Sequence, residues 1–293
     1  MTTSTETWQH RDLITNGIRM HYVTEGTGPL IVLLHGFPEF WYSWRQQIPY
    51  LAQRGYQVVA PDLRGYNESD KPRTGYDIPT LLRDIVGLIR GQGQEKAIII
   101  GHDWGGALAW AFALAYPDRT GRLVVLNAPH PQAFQRELRT PKQLRKSWYI
   151  FAFQIPWLPE YLLCRDHAAA IAKMIYDSAV HKEAFPSEVL AHYRDAMSKP
   201  GALRAAISYY RSLFRNPRSG STAGKIITAP TLLIWGEQDI ALDIALTEGL
   251  ESWVPHLQVR RIADSGHWVS QEKPEQVNKL IAAFLAADDS IRR

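Results

Sequence analysis

The sequence predicts an α/β protein: a mostly parallel, doubly wound sheet whose chain is interrupted by one all-helical insertion. Two observations carry this reading. In the first half, short aliphatic and β-branched runs alternate with helix-period stretches, the pattern of a parallel sheet with crossover helices. Beyond Asn127 the strand texture stops, and short helical patterns punctuated by Pro141, Pro156, Pro159, Pro186 and Pro200 replace it until strand texture resumes at Thr231. The expected organisation is a core in two parts, 1–130 and 223–293, with a helical cap, 131–222, inserted between them.

The elements follow in order. The runs 30–34, 56–60, 96–100 and 123–126 are short and almost uniformly apolar, which suits strands buried on both faces. Between them, 80–90 and 105–116 place apolar residues at helical spacing. The turn-rich stretch 215–224 leads out of the insertion, 231–235 and 257–262 are further strands, and 274–286 is a closing helix. Pro274 sits in the first turn of that helix, where its missing N–H removes no helical bond.

Composition narrows the function classes. With 293 residues, 45% hydrophobic and 21% charged, the chain has ample material for a core and does not read as disordered. Lys and Arg number 33 against 29 Asp and Glu, a formal +4. The basic residues are scattered apart from a local excess at 139–145, so no nucleic-acid partner is expected. The single cysteine, Cys164, excludes an internal disulfide framework and a thiol-based metal site. The N-terminus lacks the pattern of a secretory signal and no apolar run is long enough to span a bilayer, so the expected location is the cytoplasm.

The chemistry begins at Gly101-His-Asp-Trp-Gly105, which follows the 96–100 strand and opens the next helix, where a tight strand-to-helix turn displays a nucleophile. Here the displayed residue is Asp103. Aspartate is already anionic at neutral pH and displaces a leaving group at saturated carbon directly, so esters and amides become poor candidates. Alone, Asp103 would also serve as a helix N-cap. Two later loops favour the catalytic reading: Asp239 follows the 231–235 strand and His267 follows the 257–262 strand, giving the chain order nucleophile, acid, histidine on one sheet edge. Leu34-His-Gly-Phe-Pro38 closes an early strand, and the backbone N–H groups of Phe37 and Trp104 are the expected oxyanion donors. His35 reads as a brace for that loop, and the Phe37-Pro38 bond is a candidate for cis geometry.

Four segments, His35-Gly-Phe-Pro-Glu-Phe-Trp-Tyr-Ser-Trp44, Gly101-His-Asp-Trp-Gly-Gly106, Gly236-Glu-Gln-Asp239 and Gly266-His-Trp268, resemble the epoxide hydrolases of the α/β-hydrolase fold. The Asp-Trp turn is shared with haloalkane dehalogenases, so the insertion decides between the two. There, the segment from Ser147 to Pro156 resembles the one that supplies one lid tyrosine, Tyr149, and Ser208-Tyr-Tyr-Arg211 resembles the one that supplies the other, Tyr210. Helical phase independently places Tyr210 on a stripe with Leu203, Ile207 and Phe214 and turns Tyr209 about 100° away.

The resemblance implies a hydrolase acting on a small apolar epoxide with water, with no cofactor and no metal, working as a monomer or homodimer in xenobiotic detoxification. Catalytic roles are implied for Asp103, Asp239, His267, Tyr149 and Tyr210, and pocket positions for Phe37, Trp104, Phe153 and Trp268. Trp148 is counted among the pocket-side aromatics, while Glu39 receives no role. Halide displacement by the same Asp103 is the alternative, although Phe37 stands where a polar halide donor is usual. A catalytically silent ligand-binding relative would be expected to lack a triad member, and all three are present.

Overall fold

The computed structural model describes residues 8–215 and 224–287. Its strands are β1 (Gln9–Thr15), β2 (Ile18–Glu25), β3 (Leu30–Leu34), β4 (Gln57–Pro61), β5 (Ala97–His102), β6 (Thr120–Leu126), β7 (Thr231–Gly236) and β8 (Leu257–Ile262). They form one sheet in the order β1-β2-β4-β3-β5-β6-β7-β8, parallel from β4 through β8, with β2 antiparallel to both β1 and β4. Every residue of β3 and β7 is buried, which accounts for their uniform apolar composition: both faces of a central strand are covered. The covering helices are α1 (Gln47–Ala52) packed with α11 (Pro274–Ala286), which the short α10 (Val269–Glu272) precedes, and α2 (Ile78–Gly91) packed with α3 (Trp104–Ala115).

Six strand predictions and the closing helix match observed elements to within three residues at each end. The β1–β2 hairpin was not anticipated. β1 is an edge strand carrying Gln9, His10, Arg11 and Asp12 toward solvent, so it lacks the apolar run that marked the others. The signal present was Asn16-Gly17, a two-residue turn with φ of 46° and 76°, which suits the twist of a tight hairpin.

Between β6 and β7 the described residues hold no strand. The chain instead forms α4 (Pro131–Glu137), α5 (Pro141–Lys146), α6 (Trp148–Ala152), α7 (Leu158–Ser178), α8 (Ser187–Ser198) and α9 (Ala202–Arg215). Proline stands in the first turn of α4, α5 and α7, so two of the residues expected to punctuate the segment, Pro141 and Pro159, start its helices. Helix α7 is broken where Asp166, His167 and Ala168 take positive φ. Most of the turn-rich stretch 215–224 lies outside the described residues, as does the expected end of the cap at 222. No helix among the described residues is long and apolar enough to cross a membrane.

Candidate active site

The carboxyl ends of β3, β5, β7 and β8 bring the expected residues together. Asp103 follows β5 with φ 49° and ψ −119°, a conformation costly for a residue with a Cβ, and it makes no side-chain cap to α3. The N-cap reading therefore fails, and the strained turn points the carboxylate away from its own helix. Glycine is required around it: a Cβ on Gly101 would lie 2.2 Å from the Gly105 carbonyl, one on Gly105 2.0 Å from that of Leu34, and one on Gly36 2.4 Å from the Asp103 Cβ.

The Phe37 N–H donates to Asp103 Oδ1 at 2.7 Å, across the cis Phe37-Pro38 loop. The other carboxylate oxygen lies 3.6 Å from His267 Nε2, beyond hydrogen-bond length but facing the same ring nitrogen. His267 Nδ1 lies 2.8 Å from Asp239 Oδ2. Asp239 is buried and saturated with donors: Asn127 Nδ2 at 2.8 Å, and the N–H groups of Ala241 and Leu242 at 2.7 and 2.9 Å. Burial opposes the Asp239 charge, but His267 and these donors outweigh it and hold its pKa below the usual carboxylate value. Burial likewise opposes a charged His267, and the carboxylates of Asp239 and Asp103 reverse the outcome, raising its pKa well above the ordinary value.

Tyr149 on α6 and Tyr210 on α9 face each other edge-on at 5.9 Å between ring centroids. Phe153 packs on both, and Phe37 packs on Phe153 and Tyr210, joining the insertion to the β3 loop. Trp104 stands edge-on to Tyr210 at 5.1 Å. Burial raises the pKa of both tyrosines, and the Asp103 charge adds to the shift, so both hydroxyls stay protonated near neutrality and both sense the carboxylate.

Three expectations about neighbouring aromatics need correction. Phe214 does not join the buried stripe; Leu203, Ile207 and Tyr210 are buried while Phe214 is half exposed, because the last turn of α9 runs past the core. Tyr209 is as buried as Tyr210: α9 packs on α7 and α8 on one side and on the segment after β4 on the other, so the Tyr209 ring meets Tyr66, Tyr76 and Trp104 and its hydroxyl donates to the Arg64 carbonyl at 2.8 Å. Trp148 is 67% exposed and faces away from the site. Trp268, expected at the pocket wall, packs edge-on against His267 at 4.8 Å and donates its indole N–H to Ser178 at 2.8 Å.

Two groups escaped the sequence reading of roles. Glu39 is fully buried, accepting from the Gly36 N–H at 2.9 Å, His102 Nδ1 at 2.7 Å and Gln271 Nε2 at 3.0 Å. His102 donates its other nitrogen to the His267 carbonyl at 2.8 Å, so one carboxylate ties the Phe37 loop to the His267 loop. Asn127, which directly follows β6 with φ 39°, was hidden because its role depends on β7 lying alongside. His35 is the brace expected: its Nδ1 donates to the Gly36 carbonyl and its Nε2 accepts from the Leu63 N–H, which requires the neutral ring that burial favours.

Fold and site define a doubly wound α/β hydrolase with an aspartate at the nucleophile turn. Residues 29–274 match the family model of the alpha/beta hydrolase fold. The chain is 44% identical to the AB hydrolase superfamily protein YfhM of Bacillus subtilis over 92% of this chain and 96% of that protein. It is 39% identical to human epoxide hydrolase 4 over 92% of this chain and 76% of that one. A crystal structure of Bacillus megaterium epoxide hydrolase in complex with an inhibitor superposes with a TM-score of 0.87 at 35% identity, covering 94% of this chain and all of that one. The chain belongs to the α/β-hydrolase fold family and, within it, to the epoxide hydrolases.

Proposed function

We propose that the protein hydrolyses a small apolar epoxide to a vicinal diol through a covalent ester on Asp103. The observation that carries this reading is the pairing of two cap tyrosines, the partly buried Tyr149 and the buried Tyr210, with a carboxylate at the nucleophile turn. The stretch 131–222 acts as the cap that brings the tyrosines over the sheet edge.

In the first half-reaction Asp103 attacks a ring carbon, the C–O bond breaks, and a tyrosine hydroxyl gives its proton to the departing oxygen. The ester that forms has lost the Asp103 charge. One of the two carboxylates that raise the His267 pKa is thereby removed, so the pKa falls back toward its ordinary value and the neutral, proton-accepting imidazole is favoured at the moment a base is needed. His267, oriented by Asp239, then takes a proton from water, the hydroxide adds to the ester carbonyl, and the Phe37 N–H that already holds Asp103 Oδ1 stabilises the oxyanion. The Trp104 N–H is its proposed second donor. On collapse the departing alkoxide takes the remaining proton of the added water, which releases the diol and restores the Asp103 carboxylate, and the proton held by His267 returns to the tyrosinate. With a single cysteine and no disulfide, the chain fits a reducing compartment, and the cytoplasm is the proposed location.

A single turnover of excess enzyme in oxygen-labelled water tests the scheme. The first diol should be unlabelled and the label should appear in the Asp103 carboxylate. His267→Gln should accumulate protein of mass enzyme plus substrate. Solvent label in the first-turnover diol would establish direct attack by water and remove Asp103 from the nucleophile's role.

A further inference from the structure

The outer side of the cap combines two features that the proposed chemistry does not use. Trp148 is 67% and Trp157 72% exposed, and with Leu144, Phe151, Ile155 and Phe214 they leave a large apolar surface in water. The Phe151 and Phe214 rings, 5.9 Å apart, join α6 to the end of α9 within it. The same stretch is basic. From Arg139 to Arg165 it holds Arg139, Lys142, Arg145, Lys146 and Arg165 against Glu160 alone. That excess of four equals the formal net charge of the whole chain, +4, so the remainder is balanced. Lys142 and Lys146 share the Asp243 carboxylate and Glu160 is held by Arg211, whereas the side chains of Arg139 and Arg145 are exposed and form no hydrogen bond or ion pair among the described residues.

We propose that this face is a docking surface for anionic lipid bilayers. Indole rings favour the headgroup region of a bilayer, and Arg and Lys side chains beside them gain from anionic lipid. The charge decides against a second copy of the chain. A two-fold dimer through this face would set the basic stretch against itself, whereas an anionic bilayer neutralises it. Helix α6 turns Tyr149 inward while Trp148 faces out, so a lipid-soluble substrate would leave the bilayer beside the site. That last point rests on the proposed epoxide chemistry; membrane binding itself does not and is read without turnover.

Co-sedimentation of the full chain with phosphatidylglycerol/phosphatidylcholine vesicles tests the surface. Binding should weaken at least tenfold at high salt or on pure phosphatidylcholine. Arg139→Ser/Arg145→Ser should lower partitioning about twenty-five-fold, each basic side chain being worth roughly a factor of five. Trp148→Ser/Trp157→Ser should also reduce it and should abolish contact quenching of tryptophan fluorescence by brominated lipid. All four positions are exposed, so melting temperature should be unchanged. Failure of the wild type to bind anionic vesicles, or wild-type binding by both double variants, overturns the proposal. So does a wild-type dimer in sedimentation velocity that the tryptophan variant dissociates while vesicles bind neither, which would assign the face to a second copy.

Discussion

Tyr209 and Tyr210 are adjacent, equally buried and on one helix, yet removing one hydroxyl should affect a different observable from removing the other. The Tyr209 hydroxyl donates to the Arg64 carbonyl at 2.8 Å in a buried setting. Tyr209→Phe leaves that carbonyl without this donor, costing about 1–2 kcal/mol. In a chain of this size each kcal/mol is worth roughly 2–4 °C, so the melting temperature should fall by about 2–8 °C. The rate of diol formation should stay within about threefold of wild type, because the hydroxyl points at the core and not at Asp103. Tyr149→Phe and Tyr210→Phe keep nearly all the ring contacts but remove a proposed transition-state donor, worth on the order of 3 kcal/mol or about a hundredfold in rate. Their melting temperatures should fall less than that of Tyr209→Phe. Scanning calorimetry and initial rates of epoxide consumption on the three variants give the comparison. If Tyr209→Phe is slow and thermally unchanged while Tyr210→Phe is fast, α9 presents the other ring to substrate, and the acid assigned to it is wrong.

Three other changes probe the frame around Asp103. Asp103→Asn removes one of the two carboxylates that raise the His267 pKa, so an NMR titration of its imidazole should show the midpoint moving down; an unmoved midpoint would mean Asp239 alone sets it. The stability linked to this pair follows. His267, raised in the fold, contributes fully below its ordinary 6.5 and loses the contribution as pH rises through the raised value; Asp239, lowered in the fold, contributes above its ordinary 3.8 and loses it as pH falls through the lowered one. Asp103→Asn should therefore bring the alkaline loss to lower pH and leave the Asp239 side of the window nearly unchanged, as thermal melts across pH will show. Glu39→Gln replaces a charged acceptor of three buried hydrogen bonds and should cost about 2–3 kcal/mol of stability together with a rate loss; retention of both would show that the two loops are held by other contacts. Gly36→Ala places a methyl 2.4 Å from the Asp103 Cβ, a contact that cannot be met without moving the nucleophile, and should lower the rate at least tenfold.

What could be read from the sequence divides along a physical line. Elements whose burial is symmetric, such as β3 and β7, declare themselves in composition, and so do turns that demand a residue type: Asp103 between close-packed glycines, Pro274 in the first turn of α11. Helical phase correctly grouped Leu203, Ile207 and Tyr210, but it describes one face and failed where α9 is covered on two, which is why it left Tyr209 off the apolar stripe without a burial partner and put Phe214 on it. The same limit applied to α6, where Trp148 was counted with the inward aromatics although its neighbour Tyr149 takes that side. Glu39 and Asn127 had no local signature. Each acts on partners far along the chain, Gln271 for one and Asp239 for the other, and only the assembled sheet edge brings them within reach.

The insertion does more than carry two tyrosines, because it also holds the loop that carries His267. Ser178 at the end of α7 accepts from the Trp268 indole at 2.8 Å, the Val180 N–H donates to Glu272 at 3.0 Å, and the Tyr193 hydroxyl on α8 donates to Gln271 at 2.7 Å. Lys146 at the end of α5 donates to the Asp239 carbonyl at 2.7 Å. Four hydrogen bonds, each worth about 1 kcal/mol net, thus tie the proposed acid-bearing segment to the loops of the proposed base and its orienting carboxylate. Glu272 closes the connection from the other side, accepting from Ser265 Oγ and the Gly266 N–H in the turn immediately before His267. Lifting the insertion away as a rigid body would break all four ties and free the base at the same time as the acids. The two half-reactions of the proposed scheme need those groups in sequence on one trapped intermediate, so an insertion that stays seated while substrate enters beside it would keep the proposed base in register with the proposed ester.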